Sequence, residues 1–524
     1  MHWSRWGDPD HETTLPSGAT DLIALAFGEI TPHPAVSGGT VAVPRPSFAP
    51  AVIDALAAVV GSAHLTTDDG DRMHHTRGKS TLDLLAARAG DFSDAPDVVV
   101  RPGSAEEVVG VLRVCAAHGC AVVPYGGGTS VVGGLVVDRA DLSGVVSLDL
   151  RRLDALLDLD EISRTATLQA GLLGPHAEAL LAERGYTLGH FPQSFEFASI
   201  GGFAATRSSG QSSSGYGRFD SMVVSLTVAT AHGLWSVGAA PASAAGPDLR
   251  QLVLGSEGTF GVITDVTVMV HPVPEHAVYE TWRWPSFAAG ADAMRVLVQD
   301  DINPTVLRLS DETETSINLS DPSAIGLSDA GGAQMVCGYE GSADRVARMR
   351  AEVAATLECA GGELAGEDGG SAWSEGRFAA PYLRDALLDE GVLVETLETA
   401  TVWSNLHHLY AEVKAAITEA ASRQGTDPLV LCHISHVYRA GASLYFTVAV
   451  RETTDGAAQW VPVKRAASDA IRATGGTITH HHAVGRDHKP WLADEIGAPG
   501  VAVLRAVKRA LDPEGILNPG VLIP

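Results

Sequence analysis

The feature that constrains this chain most is a run of three glycines set directly behind an apolar strand. Residues 120–125 read CAVVPY, a short buried-type strand, and Gly126, Gly127 and Gly128 follow it, then Thr129 and Ser130. Without Cβ atoms in the way, successive backbone N–H groups can converge on an anion. Upstream, DVVVRP at 97–102 reads as another strand. SAEEVVGVLRVCAAHG at 104–119 reads as a helix with Ser104 as N-cap, Glu107 placed for a capping box and Gly119 as terminator. Strand, helix, strand and glycine turn define an α/β region. Two familiar phosphate loops are excluded: no Lys follows for a Walker A loop, and Val131 stands where the third glycine of G-x-G-x-x-G belongs.

Two further segments have the same character. Ser199-Ile200-Gly201-Gly202 runs on to Thr206-Arg207-Ser208-Ser209-Gly210. Gly255-Ser256-Glu257-Gly258-Thr259-Phe260-Gly261-Val262-Ile263 leads into a strand. Each alone reads as a plain turn; three in this order form a specific constellation.

Charge and cysteine usage narrow the function classes. The 524 residues carry 63 acidic against 36 basic side chains, a formal net charge of -27. No dense basic run occurs, which argues against nucleic-acid binding. Five cysteines without C-x-x-C exclude a disulfide framework or a zinc knuckle and suit a reducing compartment. The polar N-terminus shows no secretory signal, no apolar run reaches membrane-spanning length, and GVLIP is no peroxisomal tripeptide. A cytoplasmic protein is the expectation, with peripheral membrane contact and a homodimer left open.

Periodicity divides the chain. Residues 1–90 read as a helical lead-in, with DLIALAFGEI and FAPAVIDALAAVVG at helical spacing. Residues 91–275 hold the glycine loops and further β-runs. Residues 276–484 alternate strands with longer helices, as an α+β domain with an antiparallel sheet. Residues 485–524 add a helix and a loop that return to the first domain. GGSAWSEG at 369–376 reads as a loop, and the glycine-rich stretch 364–380 as a candidate mobile segment for taking up lipid from a membrane.

PYGGGTSVVGG, FEFASIGGFAATRSSG and GSEGTFGVIT together resemble the FAD domain of the vanillyl-alcohol-oxidase and para-cresol-methylhydroxylase family. The resemblance implies an α+β fold with a two-part FAD domain and a substrate cap, and a non-covalent FAD. It places the flavin against Pro124, Tyr125 and Gly126 to Ser130. It adds Gln193, Ser194, Phe195, Glu196, Phe197, Ala198 and Ser199, then Gly201 and Gly202. Thr206, Arg207, Ser208 and Ser209 and the run Glu257 to Ile263 complete the set.

Five more segments resemble the alkyldihydroxyacetonephosphate synthase branch of that family: HWSRWGDPD, GHFPQSFEFASIGGFAATRSSG, PYLRDALLDEGVLVETLETATVW, ASLYF and THHHAVG. The resemblance implies exchange of the acyl chain of acyl-dihydroxyacetone phosphate for a fatty alcohol, with the flavin used without net redox change. It implies proton-transfer roles for Tyr445, His190, His480, His481 and His482. Arg384 and Arg308 would hold the lipid substrate's anionic end. His433 stands where the branch carries Arg, which alters the phosphate-binding set.

The residues themselves support part of this. Strand alternation puts Leu444, Phe446 and Val448 on one face and Tyr445 with Ser443 and Thr447 on the other, more polar one. An extended triplet would send His481 opposite to His480 and His482. No carboxylate or further histidine lies at metal-ligand spacing, so no metal is expected. The competing reading is an FAD-dependent dehydrogenase or oxidase of a 2-hydroxy acid or alcohol, using Arg384 but taking a hydride.

Overall fold

The computed structural model describes residues 1–8, 15–139, 141–317, 331–453 and 455–524; Pro9 and Asp10 of the aromatic opening lie outside them. The glycine loop belongs to a four-stranded sheet of β1 (Leu65–Thr66), β2 (Val98–Val100), β3 (Ala121–Tyr125) and β4 (Val145–Asp149), ordered β1-β2-β4-β3. Parallel pairing of β2 and β3 with β4 follows from the helix Ala105–His118 crossing between β2 and β3. Ser104 caps that helix and Gly119 ends it in the left-handed conformation, while Glu107 reaches back to the Gly103 N–H rather than to its cap. Chain 516–518 lies along the outer edge of β3, donating and accepting at Val122, so the C-terminal segment closes this layer.

The second half of this region is an antiparallel sheet of β5 (Leu156–Asp160), β6 (Thr165–Gln169), β8 (Val223–Thr230), β9 (Gly233–Val237) and β10 (Val262–Met269), with β7 (Tyr186–Thr187) paired to β11 (His271–Pro272) beside it. Its core is apolar, with Leu168, Ile200, Phe203, Leu226 and Val266 buried.

The remaining sheet is antiparallel throughout. It comprises β12 (His276–Trp284), β13 (Val306–Ser310), β14 (Ala333–Gly341), β15 (Glu363–Gly366), β16 (Val392–Val402), β17 (Leu429–Ile434), β18 (Val437–Tyr438) and β19 (Gly441–Arg451). Its order is β15-β12-β14-β13-β17-β19-β16, with β18 on β19. One face packs Leu393, Leu397, Cys432, Ile434, Leu444, Phe446 and Val448 into the main core with the helices Leu406–Arg423 and Gly456–Ala473. The alternation expected for β19 is observed, since residues two apart share a face. The other face turns toward the glycine loops.

One expectation is corrected. The stretch 369–376 is not a loop: Asp368–Gly376 is a helix, preceded by β15 paired to β12. Its glycines are poor helix formers, but Gly370 lets the helix settle onto the β12 backbone. A Cβ there would lie 2.6 Å from the Tyr279 carbonyl carbon. Trp373, buried, anchors the same helix. Tertiary contact overrides propensity here.

Candidate active site

Three glycine segments meet at one cavity of about 400 Å³. Gly127 passes so close to the facing turn that a Cβ would lie 1.6 Å from the Phe197 carbonyl oxygen. Gly126 would meet the Ser199 hydroxyl at 2.3 Å and Gly258 the Pro124 ring at 2.7 Å. The backbone N–H groups of Gly126 to Ser130 make no hydrogen bond to another described residue. Five N–H groups without a protein partner, on a loop that lines the cavity, make a cradle suited to an anion such as a pyrophosphate. From the expected cofactor set, Pro124, Tyr125, Gly126, Gly127, Gly128, Thr129, Ser130, Gln193, Ser194, Ala198, Ser199, Gly201, Gly202, Thr206, Ser208, Ser209, Glu257, Gly258, Gly261, Val262 and Ile263 line it.

Six others stand off the wall. Arg207 turns away to Asp220 at 3.2 Å, and Phe260 packs among Leu492, Val521 and Leu522. Phe195 stacks on Phe378, Phe197 meets Trp6 edge-on, Glu196 accepts from Tyr382, and the Thr259 hydroxyl is buried without a partner. Glu257 is buried and pushed up to about 7 by that burial, against the opposing N–H groups of Gly485 and Val484. Asn518 also lines the cavity. Its amide nitrogen donates to the carbonyls of Gly134 and Glu257, while its side-chain oxygen has no partner. Nothing in the local sequence DPEGILNPG marks that contact.

Opposite the cradle, strand register builds the chemistry. His433 pairs across to Tyr445, Tyr445 to Glu398, and Ser310 to His433, so one rung runs over β13, β17, β19 and β16. Side chains directly opposite on one face are in contact range. The next rung toward the rim is Leu431, Thr447 and Thr396, and the one after it Leu429, Ala449 and Val394. The face therefore grades from ionisable to aliphatic within about 14 Å, two steps of two residues each. Helices Ser17–Phe27 and Ala380–Asp389 cover the aliphatic end with Leu22, Ile23, Phe27, Leu383 and Leu387.

The Tyr445 ring stacks on His433 at 4.7 Å and lies 5.9 Å from the nearly parallel ring of His481, with His482 edge-on at 5.5 Å. Burial pushes its hydroxyl up to about 12, so it is a proton donor at neutral pH. The triplet is bent rather than extended. The N–H groups of His480, His481 and His482 all donate to the buried Glu398 carboxylate, and Ala483 turns left-handed immediately after. Burial works to raise Glu398. The neighbouring His481, His482 and His480 and the Thr479 hydroxyl outweigh it and hold the carboxyl below the ordinary range. Burial lowers His481 to about 3 and His482 to about 4, with Glu398 opposing, so both imidazoles are neutral above a fixed anion.

The expected residues do not all converge. His481, His482, Tyr445, His433, Arg308 and Arg384 line the cavity. His480 does not; its Nε2 is 2.6 Å from the Tyr438 hydroxyl and its ring stacks on His436. His190 stands behind the wall, fully buried between Phe203 and Phe219, with Nε2 3.1 Å from the Ser208 hydroxyl. It reaches the cavity through Ser208, the placement of an orienter. Arg308 donates to Glu314 at 2.6 Å, and Arg384 lies 3.0 Å from Asp385. Glu398 and His436 were missed by sequence reasoning. His436 hydrogen-bonds Ser209 and Ser213, and its ring nitrogens come within 4.8 Å of those of His480 and His481.

Cradle and cap together define an FAD-linked enzyme of two sequence modules. A family described as FAD binding domain matches residues 96–237, and one described as FAD linked oxidases, C-terminal domain, matches 273–522. Alkyldihydroxyacetonephosphate synthase of Dictyostelium discoideum is 33% identical over 511 residues, covering 94% of this chain and 84% of its own. The Trypanosoma brucei brucei protein of that name is 30% identical, covering 92% and 82%. A solved alkyldihydroxyacetonephosphate synthase superposes with a TM-score of 0.84 at 29% identity, over 100% of this chain and 99% of its own. The chain belongs to the alkyldihydroxyacetonephosphate synthase family and binds FAD. No helix among the described residues is long and apolar enough to cross a membrane.

Proposed function

We propose that this enzyme exchanges the acyl chain of acyl-dihydroxyacetone phosphate for a fatty alcohol, forming an ether lipid precursor. The observation that carries the reading is the continuity of the cavity. One space runs from the glycine cradle past Tyr445 and the histidines to the aliphatic rungs under Ser17–Phe27. A hydride-transfer site for a small hydroxy acid has no use for that hydrocarbon arm, whereas an acyl or alkyl chain fills it.

The exchange breaks the bond between the headgroup carbon and the ester oxygen, releases a fatty acid, and forms a bond from that carbon to the alcohol oxygen. FAD, held by the cradle residues, would supply a ring that eases departure of the fatty acid and entry of the alcohol, and would end each cycle in its starting redox state. The protein's task is proton handling and placement. The alcohol gives up one proton, and neutral His481 or His482 accepts it. Glu398 beneath them stabilises the imidazolium so formed. Tyr445, held protonated, donates to the departing carboxylate oxygen, and the proton taken from the alcohol by the histidine returns to the tyrosine to close the cycle. Arg308 and Arg384, each paired to a carboxylate, shape the wall at the polar end, and Ser208 is oriented by His190.

Residues 91–275 and 485–524 hold the cofactor in this reading, 276–484 form the substrate cap, and 1–90 supply the roof over the chain. Exposed Leu25 on the roof helix suits peripheral contact with the bilayer that stores both lipids. The test is an exchange assay with palmitoyl-dihydroxyacetone phosphate and labelled hexadecanol, without an electron acceptor. Labelled ether product supports the reading; unreacted alcohol with full FAD occupancy defeats it.

A further inference from the structure

Three guanidinium groups line the cavity, and two of them are already balanced. Arg308 donates to Glu314 at 2.6 Å, and Arg384 sits 3.0 Å from Asp385 while also donating to the Lys79 carbonyl at 2.8 Å. His433, on the same rung as Tyr445, is kept neutral by burial and is held by Glu314 at 3.0 Å. Arg308 Nε and Arg384 Nη2 also lack an acceptor, but each of those guanidinium groups already faces a carboxylate, so neither offers an uncompensated positive charge for a phosphate.

Arg377 does. Among the described residues it forms no ion pair, and its Nη1 is buried with no hydrogen-bond acceptor. Aromatic rings fix it in place: its guanidinium carbon lies 4.7 Å from the Phe191 ring centre and 5.0 Å from that of Phe378. Phe378 in turn stacks on Phe195. Rings against a guanidinium leave its edge N–H groups as the free donors. On the same wall the Gln193 Nε2 also lacks an acceptor. Gln211 donates to both the Gln193 side-chain oxygen at 3.3 Å and the Arg377 carbonyl at 3.1 Å, tying the two donors into one assembly. Leaving a buried guanidinium N–H unpaired is costly, and a doubly charged phosphate oxygen cluster satisfies it better than water.

We propose that Arg377, assisted by Gln193, seats the phosphate of the three-carbon headgroup, and so selects phosphorylated over unphosphorylated esters. This rests on the function proposed above and names the part of the cavity that reads the headgroup. The experiment compares holoenzyme with Arg377→Gln and Arg377→Lys, using palmitoyl-dihydroxyacetone phosphate and the same ester without phosphate. Arg377→Gln should raise KM for the phosphorylated ester roughly ten- to hundredfold, far more than kcat falls. It should leave KM for the plain ester in place, and Arg377→Lys should recover part of the loss. Equal effects on both esters, an unchanged KM, or loss of FAD from Arg377→Gln would each overturn the assignment. Perturbation of the flavin absorption spectrum by the two esters gives the same comparison without turnover. It therefore still decides the role of Arg377 if the wild-type enzyme makes no ether product.

Discussion

The cradle and the rung are built by opposite means. The cradle uses backbone: five consecutive N–H groups, Gly126 to Ser130, have no protein partner, and Gly126 and Gly127 sit almost in contact with the facing turn. The rung uses side chains from β13, β16, β17 and β19, aligned only by strand register. Loss of a side chain from the rung removes one chemical step and leaves the shell standing. Addition of a single carbon to the cradle displaces main chain. The two regions should therefore fail differently when changed.

The largest effect belongs to the cradle. Gly127→Val forces at least a Cβ against the Phe197 carbonyl, at a cost of about 1–3 kcal/mol or more. The purified variant should lack most of its FAD, as read from the ratio of visible to ultraviolet absorbance; full occupancy would mean that the cradle is not where FAD is held. Next is Tyr445→Phe, which keeps the ring stacked on His433 and removes only the donor. The yellow spectrum should persist while kcat falls on the order of 10²–10⁴-fold. A spectrum lost together with activity would erase the distinction between the two regions.

Glu398→Gln sharpens the comparison from the stability side. Glu398 is depressed in the folded protein, so its contribution is present above the unfolded carboxylate range and lost as pH falls. His481 and His482 are depressed as well. The unfolded chain takes up their protons first, and stability drains away from about pH 6.5 downward toward their folded values near 3 and 4. Wild-type protein should lose stability steadily on acidification from pH 7. Replacing His481 by Asn should flatten that slope in denaturant melts, and Glu398→Gln should lower stability at pH 7 by about 1–3 kcal/mol. An unaltered pH slope would mean the histidines are not buried neutral. The smallest effect is at the aliphatic rungs: Val394→Phe should shift preference toward shorter chains by roughly tenfold in kcat/KM, leaving FAD content alone. Uniform loss over all chain lengths would place the hydrocarbon elsewhere.

The same contrast explains what was legible in the sequence. The cradle is local, so CAVVPY followed by three glycines could be read from neighbours in the chain, and Tyr445 could be placed by two-residue alternation. Glu398 could not: within ETLETATVW nothing marks it until β16 pairs with β19 and the bent triplet delivers three N–H groups to it. His436, Asn518 and Arg377 were hidden for the same reason, being brought to the cavity by topology. The burial of His190 was not legible, because a loop histidine and a buried one look alike in one dimension. The helix Asp368–Gly376 was underread because glycines that weaken it in isolation let it pack onto β12.

The central claim is that one cavity joins a cofactor cradle to a lipid exchange site that runs without net redox change. The most direct test mixes enzyme, palmitoyl-dihydroxyacetone phosphate and labelled hexadecanol under anaerobic conditions while the flavin spectrum is recorded. The account predicts one palmitate released for each labelled ether formed, over many turnovers, with the flavin oxidised when substrate is exhausted. Stoichiometric bleaching that stops after one turnover and recovers only when an electron acceptor is added would contradict it.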